Sequence, residues 1–120
     1  MTPKDIFLTL ECNPVIAAVQ DDKWEEALKS PVQIIFHLSA NILRVQQCVQ
    51  QAHDAGKYIF IHLDLAEGIG RDRSGIQYLA QCGVDGIVST KGQLIRYAKE
   101  QDLVTVQRFF ALDWQGRERI

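Results

Sequence analysis

Polar side chains follow the most strongly apolar run of the chain, at the point where that run ends. Residues 58–61 are aromatic or β-branched, and His62, Asp64 and Glu67 come directly after them, before Gly68. A continuous run of this kind predicts a strand buried on both faces, as a parallel sheet requires. Ligands of α/β proteins bind at the carboxyl ends of such strands. We therefore place the candidate site at the end of this strand.

His62 and Asp64 are two residues apart. If both lie in a strand, their side chains point to the same face, and Asp64 orients the imidazole or raises its pKa. This pattern favours binding of a ligand hydroxyl or a proton. In the alternative, Asp64 caps the next turn and the backbone satisfies His62. With Glu67 the pair also has the ligand types of a Mg²⁺ or Mn²⁺ site, although we predict no metal or cofactor here.

Two later segments supply groups for an anion. Ser89, Thr90, Lys91 and Gly92 stand at a predicted junction of strand and helix, where hydroxyls, an ammonium and free amides suit a phosphate. In the alternative, a hydroxyl caps the helix and Lys91 is solvated. Lys91 is also the residue that a Schiff base would use.

Arg108, with Gln107 before it, follows the last predicted strand. Its guanidinium suits bidentate contact with a phosphate or an ion pair with Asp64 or Glu67. The net charge of −2 offers no general attraction for nucleic acid, so RNA binding needs a local basic surface. The weak candidates are the late basic residues Arg96, Lys99, Arg117 and Arg119.

The elements needed to position these residues alternate along the chain. We predict strands at 15–19, 32–38, 58–62, 86–88 and 104–106, with helices between them, a leading helix at 3–11 and the start of another at 113–120. Asp21 or Asp22 is the predicted cap of the helix containing Trp24, and Ser39 or Asn41 that of the next helix. Strict alternation of strand and helix predicts a parallel sheet with right-handed crossovers.

No glycine-rich nucleotide fingerprint follows a predicted strand, which disfavours Rossmann and P-loop folds. A β/α barrel is the better prediction, although a closed barrel needs eight strands. The fold is therefore either an open doubly wound sheet or a barrel of about five units that lacks the last three.

Composition indicates one globular domain over 1–120. The chain has 47% hydrophobic and 23% charged residues, which is ordinary for a soluble domain. It has no run of about 20 apolar residues and no signal peptide pattern, so we expect a cytoplasmic protein. Cys12, Cys48 and Cys82 lack metal-site spacing and are predicted to be reduced.

Four segments, in this order and spacing, resemble the glycerol-3-phosphate-responsive antiterminator family, the regulators of glycerol uptake operons. They are NPVIAAV (13–19), HLDLAEGI (62–69), DGIVSTK (85–91) and TVQRFF (105–110). The resemblance implies a barrel-like β/α fold that binds glycerol 3-phosphate as effector and then acts on leader mRNA to prevent transcription termination. By position, His62, Asp64 and Glu67 would face the glycerol end, and Lys91 and Arg108 would bind the charge. The full predicted ligand-binding set is Asn13, His62, Asp64, Glu67, Ser89, Thr90, Lys91, Gln107 and Arg108.

The resemblance also implies that the chain stops before the last strands and glycine-rich blocks of the family. On that view it is truncated, and self-association would cover its open sheet edge. The main alternative is a small barrel enzyme for a phosphorylated sugar or polyol, with His62 or Asp64 as acid–base residue and Lys91 as phosphate ligand or imine former. A third is a structural remnant that binds no ligand.

Overall fold

The computed structural model describes residues 16–108, where strands and helices alternate. The predicted segments at 3–11 and 113–120, with Asn13, Cys12, Arg117 and Arg119, lie outside the described residues. Within 16–108 there are five strands and four α-helices. The strands are β1 (Ile16–Val19), β2 (Ile34–His37), β3 (Tyr58–His62), β4 (Gly86–Ser89) and β5 (Val104–Gln107); the helices are α1 (Trp24–Lys29), α2 (Val45–Asp54), α3 (Arg73–Cys82) and α4 (Gly92–Glu100).

The strands form one sheet in chain order, β1-β2-β3-β4-β5, and every neighbouring pair is parallel. Right-handed crossovers between successive neighbours place each connecting helix on the same side of the sheet. A doubly wound sheet would instead reverse its strand order. The order therefore rules out that alternative over 16–108 and confirms a barrel-like parallel β/α fold of five strands there.

Strands β1 to β4 contribute alternate residues to two separate apolar clusters, and β5 contributes to one of them. On one face, Ile35, Ile59, Ile61 and Ile87 pack against residues of all four helices, among them Trp24 and Leu79. On the other face, strand residues alone form the cluster over the described chain: Ile34, Phe60, Val88 and Val104, with Ile16, Phe36, Tyr58 and Val106 against them. Strands β1 to β4 are therefore apolar on both sides, as the sequence predicts for β3.

Helix starts differ from the predicted caps. Asp21 and Asp22 lie in a 3₁₀ turn (Asp21–Lys23) and cap nothing, and α1 begins without a side-chain cap. The prediction that Ser39 or Asn41 caps α2 is also wrong, because the helix begins only at Val45. The side-chain oxygen of Asn41 instead accepts a hydrogen bond from the Leu43 amide at 2.8 Å, which forms a local turn before the helix.

Helix α3 has clear signals at both ends. Asp72 accepts a hydrogen bond from the Gly75 amide at 2.9 Å, and Gly83 ends the helix at φ 93°. Such a left-handed residue is the usual glycine position after a helix. Gly83 therefore ends α3 in the conformation that glycine adopts most readily.

The amino ends of the strands are held by buried polar side chains. Asp85 accepts from the Ile59 amide at 2.8 Å and contacts His53 Nε2 at 2.9 Å. Lys57 is 5% exposed and donates to the carbonyls of Ser30 and Val32. These polar groups have their partners within the protein, so we assign them a role in stabilising the fold.

Over residues 16–108, no helix has the length and apolar character needed to cross a membrane.

Gly86 makes room for the buried ring of Phe60, its neighbour in the sheet. A Cβ at Gly86 would lie 2.6 Å from that ring, whereas one at Gly92 would meet its nearest atom at 3.5 Å. We expect Gly86→Ala to lower the free energy of unfolding by about 1–3 kcal/mol through overpacking. Gly92→Ala, at the start of α4, is the control. Urea unfolding of both variants tests this, and equal stability of the two would contradict it.

Candidate ligand-binding site

Over residues 16–108, the alternation of side chains along β3, β4 and β5 puts the candidate site on the sheet face opposite the four helices. Phe60 and Val88 face that side, so the residues two positions later, His62 and Thr90, continue the same row. Arg108 continues the corresponding row of β5. A cavity of about 260 Å³ opens there, lined by His62, Asp64, Leu65, Thr90 and Arg108. Residues from the ends of β3, β4 and β5 therefore meet in one cavity.

The carboxylate of Asp64 joins the end of β3 to the end of β4. Its Oδ1 accepts from Ser89 Oγ at 2.6 Å, and its Oδ2 accepts from Thr90 Oγ1 at 2.6 Å and from the Thr90 amide at 2.9 Å. Ser89 is fully buried and its Oγ accepts from the Lys91 amide at 3.0 Å. The hydroxyl and amide donors that the sequence offers to a ligand anion are thus engaged by the protein's own carboxylate.

These hydrogen bonds set the charge of Asp64. Burial acts to raise the pKa of its carboxyl, but the hydrogen bonds from Ser89 and Thr90 outweigh burial and hold that pKa below its usual value. A carboxylate that accepts several hydrogen bonds is stabilised in its charged form. Asp64 is therefore ionised at neutral pH, with both oxygens occupied.

The expectation that Asp64 and His62 share a strand face is wrong. β3 ends at His62, and Asp64 lies in a 3₁₀ turn (Leu63–Leu65) that swings its side chain toward β4. Asp64 accordingly makes no hydrogen bond to the imidazole. Arg71 fixes this turn from outside by donating from Nε and Nη2 to the Asp64 carbonyl, at 3.1 and 2.6 Å.

His62 is buried, with 4% of the residue exposed. Its Nδ1 is sealed from solvent and has no hydrogen-bond partner within the described chain. Burial lowers the pKa of the imidazole, and the nearby Arg108 guanidinium lowers it further, against a smaller opposing effect of Asp64. The ring is therefore neutral at neutral pH.

Arg108 brings the positive charge of the cavity. Its amide donates to the Ser89 carbonyl at 2.9 Å, which extends the pairing of β4 and β5 by one residue. Between residues 16 and 108 its guanidinium makes no ion pair. Of the two predicted uses of this residue, an ion pair with Asp64 or Glu67 is not formed.

The other predicted residues that the structure describes do not line the cavity. Lys91 is exposed and precedes α4, and Gln107 is exposed at the end of β5. Glu67 is bridged to Asn41, whose side-chain amide donates to its carboxylate at 3.3 Å. Arg96 and Lys99 are exposed on α4. The structure thus groups His62, Asp64, Ser89, Thr90 and Arg108 and leaves these residues apart.

The polar ends of β1 and β2 form a separate cluster. His37 Nε2 lies 3.0 Å from Asp21 Oδ1, Arg44 donates to Asp21 Oδ2 at 2.6 Å, and Ser39 Oγ accepts from the Asp21 amide. Burial lowers the pKa of His37, although Asp21 opposes this. The His37 ring packs on Trp24, on the helix-covered face. This cluster is not part of the cavity.

A second groove, of about 310 Å³, lies between the glycine-rich segment 68–70 and α3. Its walls are mostly backbone and apolar side chains such as Ile42. Its charged lining residue is Asp72, whose carboxylate already caps the start of α3. Its described lining residues include a negative charge and no cation, which makes it a poor site for a phosphate. The smaller cavity is the better candidate because Arg108 lines it.

No group of three metal-binding side chains occurs in the part of the chain that is described. The Mg²⁺ alternative required His62, Asp64 and Glu67 together, and Glu67 lies elsewhere. Cys48 and Cys82 are free thiols, as expected. Sequence reasoning missed Leu65 as a cavity wall and Arg71 as the support of Asp64; neither has a distinctive sequence signal.

Replacing Asp64 tests its structural role. We expect Asp64→Asn to lower the free energy of unfolding at pH 7 by about 1–3 kcal/mol, because the buried Ser89 hydroxyl loses its charged acceptor. The folded-state pKa lies below the unfolded value of about 3.9. The stabilisation is therefore complete above that value and is lost as the pH falls through the folded-state pKa.

Urea unfolding of the wild type and Asp64→Asn at pH 7 and at pH 3 measures this difference. Asp22→Asn, on an exposed turn, is the control. A difference that persists unchanged at pH 3 would contradict this role of Asp64.

Comparison with known proteins agrees with the fold. The profile of a family described as glycerol-3-phosphate responsive antiterminator matches residues 15–120. The Escherichia coli K12 protein YgcP, described as uncharacterised, is 39% identical over 106 residues, which cover 87% of this chain and 56% of YgcP.

Two crystal structures are also similar. The glycerol uptake operon antiterminator regulatory protein of Listeria monocytogenes 4b F2365 has a TM-score of 0.77 and 30% identity, over 84% of this chain and 56% of that one. The glycerol uptake operon antiterminator-related protein of Thermotoga maritima MSB8 has a TM-score of 0.72 and 32% identity, over 82% and 56%. The chain thus spans about half the length of these relatives, and it belongs to the glycerol-3-phosphate-responsive antiterminator family.

Proposed function

We propose that this chain binds glycerol 3-phosphate, as an effector, in the cavity at the ends of β3, β4 and β5. The observation that carries the proposal is the position of Arg108 in the wall of that cavity, without an ion pair in the described chain. A guanidinium in a concave site is well suited to bidentate contact with a phosphate. The family to which the chain belongs is named for a response to this ligand.

Asp64 does not prevent an anion from binding beside it. Both of its oxygens already accept hydrogen bonds, from Ser89 and Thr90. These donors partly compensate its charge and hold it on the β4 side. The cavity therefore combines a cation with a neutral imidazole and suits a small ligand with one anionic end and one polar, uncharged end.

We further propose that the ligand-bound protein acts on leader mRNA of glycerol-utilisation genes. Antiterminators regulate transcription, so the family assigns a regulator and not an enzyme. Arg96 and Lys99 are exposed, three residues apart on α4, and so share one side of the helix. They offer a local basic surface for phosphate contacts. Self-association that covers the outer edges of β1 and β5 stays a prediction.

Arg108→Gln tests the ligand site. We expect it to weaken binding of glycerol 3-phosphate about tenfold, because a charge-assisted contact with the phosphate is lost at a solvent-exposed position. Calorimetric titration of wild type, Arg108→Gln and the control Arg96→Gln measures the effect. Arg96→Gln should bind like the wild type. Binding by Arg108→Gln as tight as by the wild type would contradict the site, and no binding by any of the three would contradict the function.

A double variant tests the RNA surface. We expect Arg96→Gln with Lys99→Gln to weaken leader RNA binding and to reduce its salt dependence by about two counterions, since each residue would contact one phosphate. Gel-shift titration across a salt series, with and without glycerol 3-phosphate, measures both. Arg108→Gln should keep RNA binding but lose the effect of the ligand. An unchanged salt slope in the double variant would place the RNA on another surface.

A further inference from the structure

We infer that His62 is the specificity residue of the cavity: it recognises a ligand hydroxyl, so that the site distinguishes a phosphorylated polyol from a plain phosphate monoester. The inference rests on the proposed function, because it concerns the second end of the same ligand. It assigns the phosphate to Arg108 and the hydroxyl to His62.

The position of the His62 ring supports this role. Nδ1 is inaccessible to solvent and has no partner in the described chain. His62 nevertheless lines the cavity. The ring therefore meets the cavity through atoms other than Nδ1. Among those atoms, Nε2 is the only polar one. A buried polar side chain without a protein partner is uncommon and calls for an explanation.

The charge state of the ring selects the kind of group that it binds. The charged side chains that affect it are Arg108 and Asp64, and burial together with Arg108 keeps the imidazole neutral. A neutral imidazole has one donor and one acceptor nitrogen. A hydroxyl matches either tautomer, because it both donates and accepts. An ionised phosphate only accepts, and it has a better partner in Arg108.

The remaining cavity residues leave this task to His62. The oxygens of Asp64 accept three hydrogen bonds, and the Thr90 hydroxyl and amide are two of the donors. Leu65 is apolar. The hydrogen-bonding groups that remain for a ligand therefore belong mainly to His62 and Arg108. A three-carbon phosphate ester with free hydroxyls presents one group for each.

Two ligands and a set of His62 variants test the inference. The ligands are glycerol 3-phosphate and propyl phosphate, which has the same carbon chain and phosphate but no hydroxyl. The variants are His62→Leu and His62→Phe, two apolar replacements of different shape, and His62→Gln, whose amide still donates and accepts. His53→Gln, in a histidine that pairs with Asp85 at the other end of the sheet, is the control. Calorimetry gives each affinity, and circular dichroism verifies the fold of each variant.

In the wild type and His53→Gln we expect glycerol 3-phosphate to bind about three- to tenfold more tightly than propyl phosphate, the usual effect of a hydrogen bond. The preference should disappear in a folded apolar variant and be partly retained in His62→Gln. In Arg108→Gln both affinities should fall while their ratio is kept. A ratio that is unchanged by the apolar variants, with both ligands still bound, would overturn the inference alone. If neither ligand binds the wild type, the proposed function itself fails.

Discussion

The Asp64 carboxylate is the interaction on which the rest of the site depends. It joins the end of β3 to the end of β4 through three hydrogen bonds, and Arg71 holds its backbone from the outside. A parallel sheet positions the starts of its exit loops but not the loops themselves. The carboxylate supplies that missing constraint. It fixes the turn that carries Thr90 and thereby one wall of the cavity.

The same hydrogen bonds determine which polar groups at the strand ends remain available to a ligand. Hydroxyls and an amide beside a helix start would ordinarily suggest an anion site. Here the anion that they bind is a side chain of the protein. What is left for a ligand is a cation, Arg108, and a neutral ring, His62. This division supports our proposal that the cavity recognises a small polar phosphate ester, and the proposal agrees with a family of regulators.

Strand register separates the two histidines that follow apolar runs. His37 is paired in register with Ile61, so it faces the helices and packs on Trp24. His62 is one residue further along and faces the other side, where the cavity opens. A shift by one residue moves a side chain to the opposite face of a sheet. Two similar sequence signals therefore have different outcomes: His37 contacts Asp21 in a cluster of polar side chains, and His62 lines the candidate cavity.

The sequence by itself determined the five strands, their parallel direction and the sheet edge of the candidate site, because apolar runs and right-handed crossovers are local or general constraints. It also identified His62, Asp64, Thr90 and Arg108 as candidates. Only the tertiary structure decided that Asp64 turns to β4 and not to His62, that Glu67 bonds to Asn41 and that Lys91 stays outside. Those outcomes depend on where a strand ends and on which donors approach from other strands, and neither is encoded in residue spacing.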